Sequence, residues 1–216
     1  MFKICVARDV IEHARRQVAS HNFGQRSHGN GTPEQQLTGI IAENAVLRLF
    51  GLPLNHGGNG CDDGVDCQFA GVSLDIKTMG RTTDVRPDFV NNFLAAQLSF
   101  AVDALLFCSL HKTRNELTIC GWIPKAKFLE RARLFPKGSI RKRSDGSEFA
   151  TFADLYEIAC RDLFDVASPR NLREQLVAFG LSEKKCVRAK DFSCGTGAVG
   201  FCSRTSATRP TTKQRQ

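Results

Sequence analysis

No Cys-x-x-Cys pair occurs anywhere in the sequence, although cysteine itself is plentiful: nine thiols, an odd number, stand at Cys5, Cys61, Cys67, Cys108, Cys120, Cys160, Cys186, Cys194 and Cys202. Without closely spaced pairs the chain fits neither a disulfide framework nor a zinc ribbon, so most of these thiols are expected as reduced core residues. The evenly spaced trio Cys186, Cys194 and Cys202 matches no ligand spacing with a physical justification. No secretory leader is expected at the start of this sequence either, since Met1 to Val10, MFKICVARDV, has no long apolar core. The longest apolar stretch, Phe93 to Leu110, is interrupted by Gln97 and Asp103 and divides better into separate elements than into a membrane span. These absences lead us to expect a cytoplasmic protein without a membrane partner. No internal repeat is present.

Acid is in short supply. Twenty-two Asp and Glu stand against 30 Lys and Arg, giving a formal charge of +8 and a pI near 9.2. Such a surface attracts polyanions, which puts nucleic acid and anionic membrane surfaces first among partners, beside the plainer reading of a basic protein kept soluble by its charge. The imbalance is steepest at the end, where Lys184 to Gln216 carries eight Lys or Arg against the single Asp191. We expect one domain over 1–182 and a basic C-terminal tail over 183–216.

Cys5 to Ser20 has helical apolar spacing, and a second helix is well marked: Thr32 as N-cap, Pro33 in the first position, Gln35 completing a capping box, and Gly51 with Pro53 as the stop. Two strand-like runs follow, Val65 to Phe69 and Val72 to Thr78, separated by Ala70-Gly71. Phe89 to Ala101 reads as a helix carrying Gln97. Ala104 to His111 and Leu117 to Ile123 read as strands joined by a turn over 112–115. Pro124 to Arg143 is strongly basic, Thr151 to Phe164 reads as helical, and a last helix starts at Ser168-Pro169 and stops at Gly180. The order of elements indicates an α/β fold with a central mixed β-sheet flanked by helices, the strand after Phe89 to Ala101 returning parallel to one of the hairpin strands.

In GVSLDIKT, residues 71–78, Val72, Leu74 and Ile76 point to one face and Ser73, Asp75 and Lys77 to the other. A two-residue turn at Ala70-Gly71 pairs Phe69 with Val72, Gln68 with Ser73, Cys67 with Leu74, and Asp66 with Asp75. Two ionised carboxylates so placed repel each other unless a cation lies between them or one is protonated, and oxygen ligands of this kind suit Mg²⁺. Parity and distance along the chain select Asp66 over Asp62 and Asp63. Glu43 falls within the apolar stripe of its helix, in line with Ile40, Val46, Leu47 and Phe50, where an ionised carboxylate must be paired, metal-bound or solvated through a cleft. Lys77 stands beside Asp75, where an ammonium can offset charge developing on a phosphoryl oxygen; its plainer reading is a strand-surface ion pair.

The ordered set of Glu43 in GIIAENAVLRLFG, Asp66, and Asp75-Ile76-Lys77, followed by Gln97 and a further hairpin, resembles the PD-(D/E)XK nuclease superfamily over about Thr32 to Ile123. One departure is Val65, where the family often has proline. The resemblance implies a restriction-endonuclease-like αβββαβ-type core. It implies Asp66, Asp75 and the Ile76 carbonyl as metal ligands, Glu43 assisting the metal, Lys77 positioning the water that attacks, and Gln97 near metal or substrate. The activity it implies is Mg²⁺-dependent phosphodiester hydrolysis, with Mn²⁺ as a substitute, most simply by a DNA endonuclease; DNA is favoured over RNA, and a homodimer is compatible with cutting two strands. The alternative is a non-catalytic nucleic-acid-binding protein on the same fold. Arg81, Arg86, Asn91 and Asn92 are candidate substrate contacts, and Lys125, Lys127, Arg131, Arg133, Lys137, Arg141, Lys142 and Arg143 a candidate phosphate-binding stripe. His28 and His56 receive no role.

Overall fold

The computed structural model describes residues 1–21, 23, 31–56, 64–142 and 146–193, by backbone alone for 183–193. Expectations for His28, Cys61, Asp62, Asp63, Arg143, Cys194, Cys202 and the side chain of Cys186 lie outside the described residues. The chain divides into two units, Met1–Leu181 and Ser182–Gln216.

In chain order the elements are β1 (Phe2–Cys5), α1 (Arg8–Ser20), α2 (Pro33–Phe50), β2 (Cys67–Phe69), β3 (Val72–Arg81), β4 (Val90–Leu94), a 3-10 helix (Ala95–Ser99), β5 (Ala104–His111), β6 (Glu116–Pro124), α3 (Lys125–Arg131), β7 (Arg133–Phe135), β8 (Ile140–Lys142), β9 (Glu148–Ala150), β10 (Leu155–Ala159), a second 3-10 helix (Cys160–Asp162) and α4 (Pro169–Ser193). The fold is α/β. Its main sheet has the order β1-β6-β5-β3-β2 and is mixed, because β3 and β5 run parallel while the other neighbours are antiparallel. A smaller sheet has the order β4-β10-β7, and β8 and β9 form a two-stranded ribbon. Among the described residues no helix is long and apolar enough to cross a membrane.

Local signals set α2. The Thr32 hydroxyl accepts from the Gln35 N–H at 3.2 Å while the Gln35 side chain accepts from the Thr32 N–H at 2.9 Å, and Gly51 ends the helix in the left-handed conformation at φ 73°. One face of the main sheet packs Val72, Leu74, Ile76 and Leu106 against Ile41, Val46 and Phe50 of α2 and Leu172 and Leu176 of α4. The other face packs Leu105, Phe107 and Ile123 against Phe93, Phe128 and Ile158. Covered on both sides, β5 is apolar almost throughout.

Several expectations are corrected. Phe89 to Ala101 contains β4 and a 3-10 helix instead of an α-helix, and Thr151 to Phe164 contains β10 and a 3-10 helix. The two strands pair with each other in antiparallel register, Asn92 opposite Glu157 and Asn91 opposite Ile158. That pairing joins segments more than sixty residues apart and overrides weak helical spacing. β1 adds to the sheet edge ahead of α1, which starts at Arg8 instead of Cys5. The last helix does not stop at Gly180. A Cβ at that position would lie 2.6 Å from the Ala70 carbonyl oxygen, so glycine there serves close packing of α4 on the β2–β3 turn.

Candidate functional site

The β2–β3 hairpin has the register read from the sequence: Cys67 opposite Leu74, Gln68 opposite Ser73, Phe69 opposite Val72. Its turn residues Ala70 and Gly71 both take positive φ, 54° and 79°, as a two-residue hairpin of the primed type requires. With Val72, Leu74 and Ile76 committed to the α2 side, Asp75 and Lys77 are directed to the opposite side. There Asp75 is fully buried, and the Lys77 Nζ lies 2.5 Å from its Oδ1 and 5.7 Å from the centre of the Phe93 ring of β4. The ammonium is thus held between a carboxylate and an aromatic face.

Asp66, just ahead of β2, donates its N–H to the Leu74 carbonyl at 2.9 Å, and its Oδ2 accepts the Ile76 N–H at 2.5 Å. Burial first, then the charges of Asp75 and Glu43, push the Asp66 carboxyl well above the usual carboxylate range; Lys77 and the Ile76 N–H pull the other way. The neighbouring Cys67 thiol is pushed up to about 12 by burial and by the same Asp66 and Glu43 charges. The charges of Glu43 on α2 and of Asp75 and Lys77 on β3 thus bear on Asp66, and Asp75 and Lys77 pair directly.

Glu43 is buried, and its Oε1 accepts from the Asn55 side-chain amide at 2.5 Å. Asn55 is itself fixed. Its N–H donates to Asn44 Oδ1 at 3.0 Å, its carbonyl accepts from Gln17 Nε2 at 2.7 Å and faces His13 Nε2 at 2.6 Å, and Asn44 Nδ2 donates to Gln17 Oε1 at 2.8 Å. This polar network between α1, α2 and the segment after α2 positions Glu43, and sequence reasoning missed it. The available signal was Asn44, a fully buried polar residue inside the apolar helix GIIAENAVLRLF.

The remaining candidates are placed as follows. Gln97 is buried on the 3-10 helix after β4. Arg81, four residues beyond Lys77 on the same face of β3, donates to the Val90 carbonyl at 2.6 Å, and its guanidinium lies 4.7 Å from the Phe89 ring centre. Arg86 stacks on Phe89 at the same distance and pairs with Asp88 at 3.3 Å. Asn91 is fully buried and donates to the Cys160 sulfur at 3.3 Å, which leaves it no access to a surface ligand. In the basic segment, Lys125 donates to the Leu98 carbonyl at 2.6 Å and to that of Phe100, Arg131 donates to the Asp162 carbonyl at 3.0 Å, and Arg141 pairs with buried Glu157 at 2.5 Å while stacking 3.8 Å from the Phe135 ring centre. These three hold the fold together.

Among the described residues no three His, Cys, Asp or Glu side chains converge tightly enough to hold a metal ion as they stand. Each of the three carboxylates has a partner in the fold: that of Asp66 accepts a backbone N–H, that of Asp75 pairs with Lys77, and that of Glu43 accepts from Asn55. Comparison with protein-family models, curated proteins and solved structures finds no match.

Proposed function

We propose that this chain is a divalent-metal-dependent nuclease with a restriction-endonuclease-like core of the PD-(D/E)XK type, hydrolysing phosphodiester bonds within DNA in preference to RNA. The observation that carries the proposal is the placement of Asp66 against the Asp75-Ile76-Lys77 strand: its carboxylate accepts the Ile76 N–H at 2.5 Å, and the charges of Asp75 and Glu43 push its carboxyl up while that of Lys77 pulls it down. An all-oxygen, carboxylate-rich donor set with surplus negative charge fits Mg²⁺, and Mn²⁺ as a substitute. Asp66 and Asp75, with Glu43 assisting and the Ile76 carbonyl as a further donor, would hold it.

Such an ion supplies Lewis-acid activation of a water and neutralisation of phosphoryl charge. The chain's own residues do the rest. The Asn55 network fixes the Glu43 carboxylate, the Ile76 N–H fixes that of Asp66, and Phe93 with Asp75 keeps the Lys77 ammonium where charge would grow on a scissile phosphate. No covalent intermediate with the chain is required. Surface basicity supplies substrate attraction.

A second reading, a nucleic-acid-binding protein without cleavage, is favoured by the Asp75–Lys77 contact and the lack of three converging ligands among the described residues. A substrate panel separates the two. Covalently closed plasmid, single-stranded DNA and RNA are incubated with the protein in Mg²⁺ and in chelator. Metal-dependent nicking of the closed plasmid is the expected result, whereas binding of all three without cleavage of any would replace the first reading with the second.

A further inference from the structure

An open cavity of about 130 Å³ lies between α1, the first half of α2 and the turn joining β5 to β6. The α2 residues that line it, Glu34, Leu37, Thr38 and Ile41, follow the spacing of one helix face. Glu43, two residues past Ile41, falls on roughly the opposite side of that helix, so the cavity is separate from the carboxylate site.

The lining is hydrocarbon at depth. Ile11, Ile41 and Leu110 are each 7% exposed, and Leu37 adds a half-buried wall. Thr38 offers the cavity no donor, because its hydroxyl donates to the Glu34 carbonyl at 2.8 Å. The charged groups stand at the mouth. The Lys112 stem passes over Gly80, where a Cβ would lie 2.9 Å from the Lys112 Cε, and its Nζ donates to Glu34 Oε1 at 2.7 Å. That pair neutralises the one acid of the lining. Arg15 of α1 is exposed and has no ion-pair partner among the described residues, so its guanidinium is the surplus charge. Beside it, His111 Nδ1 accepts the Thr113 N–H at 3.4 Å, which leaves the neutral ring its own proton on Nε2 as a further donor.

We propose that this cavity binds a small monocarboxylate with a compact apolar body, such as an aromatic acid. Volume sets the body: a dry, aliphatic cavity of roughly 150 Å³ takes a benzene ring, so this one holds a single ring or a chain of a few carbons and is too small for a nucleotide. Charge sets the head. With Glu34 paired, a carboxylate can be met by the planar fork of Arg15, whereas an ammonium would face Arg15 and Lys112 together. An anion without an apolar body would leave the hydrocarbon lining in water and lose the larger part of the gain.

This inference does not depend on the nuclease reading. Its test records amide NMR spectra of the isotope-labelled full chain during titration with sodium benzoate, beside sodium acetate and benzylammonium chloride at matched ionic strength. The expected result is saturable shifts at residues 37–41 and 110–112 with benzoate, and no saturation there with acetate or benzylammonium over the same range. Arg15→Gln, at an exposed position, should weaken benzoate binding on the order of tenfold. Leu37→Trp, which fills the cavity, should abolish it. Absence of saturable shifts with benzoate, equal affinity for acetate or benzylammonium, or unchanged affinity in Arg15→Gln would overturn the proposal. The three-ligand comparison is made on wild type, so it stands even if Leu37→Trp fails to fold.

Discussion

Asp66 is half-buried, the charges of Asp75 and Glu43 raise its carboxyl against the single ammonium of Lys77, and its protonation has consequences for stability. Its folded-state pKa is raised above the unfolded value, so the folded form holds its proton more tightly and the associated stability is full below about pH 4, where an unfolded carboxyl titrates. That stability is lost as pH rises through the raised value. Thermal unfolding midpoints should therefore fall from mildly acidic to alkaline pH. Mg²⁺ should raise the midpoint on the alkaline side, where the carboxylates are charged, and leave it unchanged on the acidic side. Asp66→Asn should flatten both responses; an Mg²⁺ effect of equal size in that variant would remove Asp66 from the metal site. The register of the β2–β3 hairpin was legible because strand parity is strict, and the pairing runs from Phe69 opposite Val72 to Cys67 opposite Leu74. The hold of Asn55 on Glu43 was not legible, because it joins residues 12 apart in sequence through a loop whose path no local pattern specifies.

At the scale of elements, strong local chemistry was readable and long-range pairing was not. The capping box and positive-φ stop of α2 are self-contained within their own residues. The small sheet is the contrary case: β4 and β10 draw their buried faces, Phe93 and Ile158, from pairing with each other and packing on Phe107 and Phe128, and each alone has ambiguous periodicity. Gly180 shows how a residue with two meanings misleads, since a glycine late in an apolar pattern marks a helix end as often as a close approach. The two meanings give opposite predictions for Gly180→Ala. Helix propensity alone would stabilise the protein by up to about 1 kcal/mol, whereas intrusion on the Ala70 carbonyl should destabilise it by roughly 1–3 kcal/mol. Chemical denaturation should return the loss; a gain would mean that α4 is free to move away from the hairpin turn.

Over the whole molecule, the formal charge of +8 predicts association with nucleic acid that weakens steeply with salt. For about three phosphates neutralised, affinity for duplex DNA should drop roughly fortyfold between about 50 and about 200 mM monovalent salt. Fluorescence anisotropy would measure this, and a flat dependence would mean that the surface charge is spent on the fold. Part of it is: Lys125, Arg131 and Arg141 are tied to carbonyls and to Glu157, which a count of charges could not disclose. The α/β class and mixed sheet followed from the alternation of elements, and parity on one hairpin and one helix stripe singles out Glu43, Asp66, Asp75 and Lys77 in the sequence. The central claim, that these four residues carry metal-dependent phosphodiester hydrolysis, is tested most directly by the single-turnover cleavage rate of DNA in Mg²⁺. Wild type is compared with Asp75→Ala and Lys77→Ala, each confirmed folded by circular dichroism. The account predicts cleavage by wild type and a loss of about a hundredfold or more in each variant; equal rates in all three proteins would contradict it.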